Sequence, residues 1–503
     1  MKRLCAVLLC AVMLIGIFGS CKKSDSKSAG GDKEEIVVAS NAVISMLDPQ
    51  RNNIMVCKMV YYSIFSTLFK YDLVKKEFYG DLVESYTVDS TGLTWNFKLR
   101  QGVKFHDGGA LTAKDIKFTY ERARTSSHQA SKMTIMKEIT VVDNYNLKIV
   151  LNEPSQEFLE VISDPGLSIL SEAAISAKGN DGLYVGSGAY SVKELVPEDY
   201  CLIVRFDGYF GQKARTKSIR FRKIAENSAR IIALQTGEID VALVPASIDL
   251  PRVKEDKKLE LIQMPGSRVV YMALNQSKPP FNNLKVRQAI AQGINRQDII
   301  TATVDGMGKP GKQIISWSCL MYPENVKGPE YNPGAAKALL AEAGYANGLE
   351  FTIMPDSAQW ATSAEVMQAQ LKQIGVNMKI EMLEPAVATA RVDSNDYHIL
   401  LSSYGFTSSN DIPLRSLFYS TGVFNEAKFT DTVLDKLIDD GLFESNRTKR
   451  LDIYRQIDQR IMDSAAWLPL FYPDMFVAIR KGVSGVNWAY HGRHDFTYVY
   501  LPL

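Results

Sequence analysis

The C-terminal segment holds the clearest metal-type spacing in the chain, since two residues separate His491 from His494 and Asp495 follows directly. Two imidazoles and a carboxylate are ligands that Zn²⁺ accepts. The chain has five histidines in all, and no further Cys, Asp or Glu cluster stands near this pair at ligand spacing. The pattern gives weak support to a metal site, and we predict none.

A glycine pattern at Gly306, Gly308 and Gly311 matches the spacing of a dinucleotide-binding loop by letter. Such a loop must follow a strand and open a helix, whereas this one follows a helix-like run and contains Pro310. Neither a Gly-x-Ser-x-Gly elbow nor a Walker-type phosphate loop occurs in the sequence. We therefore predict no cofactor and no enzymatic activity, although abundant acidic residues leave a carboxylate-pair hydrolase open.

The N-terminus has the pattern of an export signal. Lys2 and Arg3 precede an apolar run from Leu4 to Phe18, which is too short to span a bilayer comfortably. The run ends in small residues before Cys21 and resembles the lipobox of bacterial lipoproteins, in which the cysteine is acylated. Phe18 departs from the aliphatic residue usual there. We therefore predict a lipoprotein signal peptide over residues 1–20, with Cys21 as the lipid anchor. The alternative is a plain secretory signal or an uncleaved anchor.

Residues 21–35 are predicted to form a flexible tether, because Lys, Ser, Asp, Gly and Glu dominate them and cannot bury apolar surface. An acylated Cys21 would attach the protein to the membrane outside the cytoplasm. Each buried methylene of an acyl chain contributes about 0.8 kcal/mol, and stable attachment takes two chains.

The composition predicts a large soluble folded body. Of 503 residues, 46% are apolar and 23% are charged, and the formal net charge is +2. This balance argues against a nucleic-acid partner. Beyond the signal and Cys21, three widely spaced cysteines remain, namely Cys57, Cys201 and Cys319, and they form no disulfide framework.

Helical and strand patterns alternate along the rest of the chain. Thr112 with Asp115 predicts the capped start of a helix that runs to Arg124, and a second helix is expected to stop at Gly237. Alternation and β-branched content predict strands over 36–39, 94–99, 137–151, 187–195, 201–206, 218–224, 238–244, 349–354 and 376–382. Such alternation builds α/β lobes with covered sheets.

Eight stretches, in order over nearly the whole mature chain, resemble ABC-importer substrate-binding proteins of the oligopeptide, dipeptide and nickel family, known as solute-binding protein family 5. They are Leu47-Asp48-Pro49, TWNFKLRQGVKFHDG from Thr94, LTAKDIKFTYER from Leu111, GSGAY from Gly186, ALQTGEIDVA from Ala233, YMALN from Tyr271, VRQAI from Val286 and YNPGAAKALLAEAGY from Tyr331. The resemblance implies an α/β fold of the periplasmic-binding-protein type, with two lobes, a hinge and a third subdomain inserted in the first lobe.

The resemblance also gives domain boundaries. The first lobe would take residues 36–50, 166–272 and 471–503, the inserted subdomain residues 51–165, and the second lobe residues 273–470. Polar residues and prolines after Asn275, and Leu468-Pro469, mark expected crossings between the lobes.

The implied function is a solute receptor that traps a ligand between two closing lobes. Its expected partners are a ligand, either a small molecule or a peptide, with a peptide as the first candidate, and a membrane permease with cytoplasmic ATPases; the protein is expected to be a monomer. The alternatives are an opine, sugar or chelated-metal ligand, or a ligand-sensing surface lipoprotein without transport.

Relatives suggest which residues line the cleft. The segment soon after Leu-Asp-Pro contacts extended ligands in peptide binders, which here gives Asn53, Ile54 and Met55; a plain surface loop is the alternative. Asp356 and Trp360 follow a strand in a region that lines the cleft, although Trp360 would equally suit the core.

Substrate choice centres on the stretch SSYGFTSSNDIPLRSLF from Ser402 to Phe418. Peptide binders carry a Trp here and, three residues later, an Asp that pairs with the ligand's α-ammonium group. This chain has Tyr404 and Thr407 instead, and a hydroxyl cannot supply the charge. Either Asp411 replaces the carboxylate or the ligand has no free amine. Arg415 could meet a ligand carboxylate, or it is solvated.

Overall fold

Strands and helices alternate through the described chain, which in this computed structural model comprises residues 31–42, 44–72, 75, 77–489 and 492–503. The strands are β1 (Glu35–Ser40), β2 (Phe69–Asp72), β3 (Glu77–Gly80), β4 (Val83–Val88), β5 (Thr94–Leu99), β6 (Met136–Val141), β7 (Asn146–Leu151), β8 (Tyr190–Val196), β9 (Tyr200–Arg205), β10 (Ser218–Lys223), β11 (Val241–Leu243), β12 (Leu259–Pro265), β13 (Arg268–Leu274), β14 (Gly308–Pro310), β15 (Leu349–Pro355), β16 (Val376–Ile380), β17 (Ile399–Gly405) and β18 (Trp467–Arg480).

The α-helices fill the intervals between these strands. They are α1 (Met55–Ile64), α2 (Ala113–Ala123), α3 (Ala130–Met133), α4 (Phe158–Val161), α5 (Glu172–Lys178), α6 (Asn227–Thr236), α7 (Leu250–Glu255), α8 (Leu284–Gln292), α9 (Arg296–Val304), α10 (Pro333–Glu342), α11 (Ala361–Lys372), α12 (Pro385–Asp393), α13 (Asp411–Phe418), α14 (Thr432–Phe443) and α15 (Arg447–Ser464).

Local sequence signals account for several helix ends. The backbone N–H and the hydroxyl of Thr112 donate to Asp115 Oδ2 at 2.9 and 3.0 Å, which closes the first turn of α2. Helix α6 ends at Gly237, whose φ of 79° is a left-handed conformation that glycine adopts without strain. Both boundaries confirm the sequence predictions.

Two lobes share one large sheet. Its strand order is β16-β15-β17-β13-β18-β11-β1-β10-β9-β8, with β12 and β14 also paired to β18. Strand β18 joins the lobes, because its first residues pair with β13 and its last residues pair with β12. The α/β class and the two-lobed architecture are as predicted.

Strand β13 shows how the second lobe is held. Val270, Met272 and Leu274 pack into one buried cluster with α8 and α11, while Tyr271 and its alternate neighbours pack into a cluster with α13 and α15. Successive side chains of a strand point to opposite faces, so β13 is buried on both sides. Burial of apolar surface on both faces, worth about 25 cal/mol per Å², stabilises the sheet whose edge carries the site loops.

A separate four-stranded sheet, in the order β4-β5-β7-β6, forms the inserted subdomain. Along β5, Trp95, Phe97 and Leu99 are buried whereas Asn96 and Lys98 are exposed, the alternation of a half-buried strand. Trp95 lies against Tyr86, Phe97 and Phe158, which supports the structural role expected for it.

The segments expected to cross between the lobes lie at the ends of two paired strands. Asn275 follows β13 directly, and its N–H donates to His398 O at 2.9 Å. Leu468 and Pro469 lie at the start of β18, where Leu468 pairs with Met272 of β13. The two crossings stay predictions.

Helix α1 packs in the core of the first lobe with β1, β9 and β10, through residues such as Val60 and Tyr61. The predicted division of the chain at residues 50, 165, 272 and 470 stays a prediction. Among the described residues, no helix is both long and apolar enough to cross a membrane.

Candidate functional site

A cavity lies where the two lobes and the inserted subdomain meet. The second lobe contributes Thr407 and Ser408, and the rest of the lining comes from the other side of the cavity, including the C-terminal segment. The lining residues with charged or hydroxyl-bearing side chains are Tyr62, Lys70, Tyr71, Tyr79, Glu160, Ser163, Asp164, Thr407, Ser408, Arg493 and Asp495. Its volume is about 90 Å³, below the roughly 300 to 1,000 Å³ typical of small-molecule pockets. A peptide-sized ligand therefore requires the lobes to separate or the lining side chains to rearrange.

Cations surround Asp164 at one wall of the cavity. Lys132 Nζ lies 2.9 Å and Arg493 Nη1 lies 3.7 Å from Asp164 Oδ2. Burial alone would raise the pKa of Asp164, but Lys132, Lys58 and Arg493 together hold it well below its usual range. Asp164 is therefore a fixed anion that is already neutralised by its neighbours.

Lys58 is a buried ammonium behind the same wall, with 3% of its surface exposed. Burial lowers the pKa of Lys58 to about 7, although the charge of Asp164 acts in the opposite direction. The amine thus changes charge near neutral pH, close to Arg493 and Asp164.

A second ion pair involves Lys70, another residue of the lining. Lys70 Nζ lies 3.5 Å from Asp81 Oδ2, and both side chains are largely buried. Tyr71 and Tyr79 flank Lys70 along strands β2 and β3. The cavity therefore presents cationic, anionic and phenolic groups, a mixture suited to a polar ligand that carries charges of both signs.

Glu160 on α4 reaches across to the second lobe. Its Oε1 accepts a hydrogen bond from Ser408 Oγ at 2.5 Å. Its Oε2 is buried and has no hydrogen-bond partner within the described part of the chain. Burial, and then the neighbouring Glu157, raise the pKa of Glu160 to about 8.

Glu157 contacts the second lobe through both of its carboxylate oxygens. Its Oε1 accepts the backbone N–H groups of Asn410 and Asp411, both at 2.9 Å, at the start of α13. Ser409 Oγ donates to Oε2, and Arg450 of α15 lies 3.6 Å away. The N-terminus of a helix favours a carboxylate, so this contact fastens the loop that carries Thr407 to the inserted subdomain.

Of the predicted ligand contacts, Thr407 lines the cavity. Its carbonyl oxygen accepts a hydrogen bond from Ser318 Oγ at 3.1 Å, and its hydroxyl accepts one from the N–H of Ser409 at 3.4 Å. The loop is thus held from both sides, and Thr407 takes a defined position at the second-lobe wall.

Asp411 and Arg415 pair with each other instead of facing the cavity. Arg415 Nη2 donates to Asp411 Oδ1 at 2.8 Å, and Arg415 Nη1 donates to Asp439 Oδ1 at 2.9 Å. The guanidinium also lies 4.9 Å from the ring centre of Tyr419. The charges of Asp411 and Arg415 are therefore already compensated by protein partners.

Asp356, Trp360 and Tyr404 lie near the carboxyl ends of two neighbouring parallel strands, β15 and β17. Ser402 Oγ donates to Asp356 Oδ2, and burial raises the pKa of the Asp356 carboxyl. Trp360 is buried and its ring centre lies 6.3 Å from that of Phe471, so it packs in the second-lobe core. Tyr404 is half-buried against Phe406, at 5.5 Å between ring centres.

Asn53, Ile54 and Met55 form the exposed entry to α1. Met55 packs against Gly492, where an added Cβ would come within 2.7 Å of its Sδ. Because Arg493 follows directly, the segment borders the C-terminal wall of the cavity without lining it among the described residues.

Sequence reasoning missed Lys70, Glu160 and Arg493. A signal for Glu160 existed in EFLEVISDP from Glu157 to Pro165, where three acidic residues interrupt an apolar run. Buried acids need partners, so such a run predicts contacts with another element.

The remaining sequence predictions concern the two ends of the chain. Cys21 and His491 lie outside the described residues. His494 is buried, and its Nδ1 accepts the N–H of Ala489 at 3.1 Å; burial lowers its pKa to about 4. Within the described residues, no group of three His, Cys, Asp or Glu side chains is placed to hold a metal ion.

The model of the bacterial extracellular solute-binding proteins, family 5, matches residues 77–426. This match covers more than half of the chain. The chain belongs to this family. It is thus an extracellular solute-binding protein of family 5, a family of binding proteins, as the sequence motifs predict.

Glutathione-binding proteins named GsiB are among the curated relatives of this family 5 protein. The one from Salmonella paratyphi A is 29% identical over 471 residues, which cover 90% of this chain and 91% of the relative. The one from Escherichia coli K12 is 28% identical over the same length and coverage.

Solved structures share the fold of this family 5 protein. HbpA2 from Haemophilus parasuis has a TM-score of 0.86 at 24% identity, covering 93% of this chain and all of that one. The substrate-binding protein CtaP of Listeria monocytogenes has a TM-score of 0.83 at 23% identity, with 93% and 99% coverage. DppA from Helicobacter pylori, in complex with the peptide STSA, has a TM-score of 0.75 at 25% identity, with 93% and 98% coverage.

Proposed function

We propose that this protein is an extracytoplasmic receptor that captures a short peptide, with glutathione as the first candidate, and delivers it to an ABC import permease. The observation that carries the proposal is the cavity between the lobes, whose lining has charges of both signs. Membership of the solute-binding family and the glutathione-binding relatives support it.

The charge pattern suits a peptide better than a neutral sugar. A peptide carries at least one carboxylate and one ammonium group, and glutathione carries two carboxylates. Lys70 and Arg493 could meet carboxylates, and the acidic groups of the lining could meet an ammonium. Charge-assisted hydrogen bonds of this kind contribute about 1.5 to 3 kcal/mol each.

Capture between lobes couples binding to closure. A ligand that touches Thr407 on one side and Arg493 on the other makes all its contacts when the lobes are closed, so binding shifts the population toward closure. The permease would recognise this closed form. A micromolar dissociation constant, about −8 kcal/mol, allows both capture and release.

The proposal extends to the protein's setting. Cys21 would carry a two-chain lipid anchor, and the protein would act as a monomer. The tether predicted over residues 21–35 would be confined to its first part, because Asp32 pairs with Arg215, Lys33 pairs with Asp240 and Glu35 begins β1. Asn53, Ile54, Met55, Asp356 and Tyr404 remain proposed ligand contacts, whereas Trp360, which is buried beside Phe471, is proposed to have the core-packing role that was its alternative. The receptor would release its ligand chemically intact and would not be an enzyme.

Calorimetric titration with glutathione and a panel of di- to tetrapeptides tests this function. We expect micromolar or tighter binding of at least one of them, and recovery of the unaltered ligand by mass spectrometry. Arg493→Gln should weaken binding tenfold or more, while Arg455→Gln, which removes an exposed arginine paired with Asp452, should not. No heat for any peptide, together with native mass spectra that show no bound peptide, would overturn the proposal.

A further inference from the structure

The ammonium group of a bound peptide needs an anionic partner once the lobes close around it. A buried ammonium without such a partner is unfavourable by several kcal/mol. Thr407, at the second-lobe wall, supplies a hydroxyl and no charge. The acidic side chains that line the cavity are Glu160, Asp164 and Asp495.

Asp164 is neutralised by cations, and Asp495 has one oxygen bonded to Thr497. Asp164 is neutralised by Lys132 at 2.9 Å and by Arg493 at 3.7 Å. Asp495 Oδ1 accepts the N–H and the hydroxyl of Thr497 at 2.9 and 2.6 Å. Asp411 lies outside the lining and is paired with Arg415.

Glu160 differs from the other two lining acids, Asp164 and Asp495. Its Oε1 is oriented by Ser408, whereas its Oε2 is buried without a hydrogen-bond partner among the described residues. Buried carboxylate oxygens normally have partners, so an unpaired one at a cavity wall points to a ligand group. From this geometry, and resting on the proposed peptide function, we infer that Glu160 is the anionic partner of the ligand's α-ammonium group.

Glu160 thereby takes over a role that the second-lobe loop does not fill. The carboxylate comes from the inserted subdomain, and Ser408 beside Thr407 holds it in place across the lobe boundary. An ammonium bound at Oε2 would therefore complete a contact between the two halves of the protein, which ties recognition of the amine to closure.

Protonation supports the assignment and gives a second readout. Burial raises the pKa of Glu160 to about 8, so most molecules carry a proton there at pH 7. An ammonium at Oε2 would favour the charged form and expel that proton. The titratable and charged groups that face Glu160 are Glu157, Asp164, Arg493, Tyr71 and Cys319.

The test compares glutathione with N-acetylglutathione, in which the ammonium has become a neutral amide. The proteins are the wild type, Glu160→Gln and the control Glu153→Gln, which changes an exposed glutamate of the same subdomain. Gln has the shape of the neutral acid that predominates at pH 7, so the variant should fold. We expect the wild type and Glu153→Gln to prefer glutathione tenfold or more, and Glu160→Gln to bind both compounds within about twofold.

The second measurement is calorimetric titration of each protein with glutathione at pH 7, in buffers of different ionisation enthalpy. The dependence of the binding heat on the buffer gives the number of protons released. We expect the wild type to release protons when it binds glutathione, and Glu160→Gln to release clearly fewer, the remainder coming from groups such as Lys58. A preference for glutathione that persists in Glu160→Gln, or a proton release equal to that of the wild type, would overturn the inference and leave the peptide function standing. A wild type that binds neither compound, nor any peptide of the panel, would overturn the peptide function and the inference with it.

Discussion

The carboxylate of Glu157 accepts the backbone N–H of Asn410 at 2.9 Å, and this contact joins the inserted subdomain to the second lobe. Together with the N–H of Asp411, the hydroxyl of Ser409 and the guanidinium of Arg450, it places four donors on one buried acid. None of these atoms belongs to a ligand. The closed arrangement therefore has its own stabilising contact, which any ligand supplements.

Glu157→Ala should shift the protein toward the open arrangement. The substitution removes the hydrogen-bond acceptor of two backbone N–H groups and the anionic partner of Arg450. These groups can form hydrogen bonds with water again when the lobes separate. A loss of about 3 kcal/mol changes the ratio of closed to open molecules by a factor of about 100. Small-angle X-ray scattering without ligand should show a larger radius of gyration.

Glu153→Gln is the matched control for this measurement, because Glu153 is an exposed acid in the same subdomain. Its scattering curve should superimpose on that of the wild type. Equal radii of gyration for Glu157→Ala and the wild type would show that the contact does not govern closure.

Asp458→Asn should change how stability depends on pH. Asp458 is fully buried in the second lobe, where it accepts the N–H groups of Ile314 and Ile315 at 2.8 and 3.1 Å. Burial raises its pKa from 3.8 to about 7. Between pH 4 and pH 7 the folded state therefore holds a proton on Asp458 that the unfolded state has lost. The contribution of Asp458 to the free energy of unfolding is complete below pH 4 and is lost as the pH rises through 7.

Denaturant unfolding of the wild type and Asp458→Asn from pH 4 to 8 measures this effect. The free energy of unfolding of the wild type, relative to the variant, should fall by up to about 4 kcal/mol across that interval. A constant difference between the two proteins at every pH would contradict the prediction.

Cys21→Ala should release the protein from the membrane. Under the proposed lipobox assignment, a two-chain anchor on Cys21 would hold the wild type at the bilayer, whereas the variant would have no acylation site. Membrane fractionation of cells that express each protein provides the measurement, with Cys57→Ala as a control that changes a buried cysteine of the first lobe. If Cys21→Ala remains in the membrane fraction to the same extent, the lipobox assignment is wrong.

Much of the fold follows from local sequence. The bonds from Thr112 to Asp115 and the glycine at 237 depend on residues close in the chain, so the helix ends at α2 and α6 were predictable. The alternation of β5 gave its buried face for the same reason.

The site was less predictable because it combines distant segments. Glu160 and Ser408 are separated by 248 positions, and no local pattern reports that they meet. The pairing of Asp411 with Arg415 has the i,i+4 spacing of a helical ion pair and could have been anticipated, whereas the second partner, Asp439, comes from another helix.

A crystal structure of the protein grown with saturating glutathione tests the central claim most directly. We predict ligand density between the lobes, in contact with Thr407 or Ser408 on one side and with Lys70 or Arg493 on the other. Density confined to the outer surface of a single lobe, with the space between the lobes free of ligand, would contradict it.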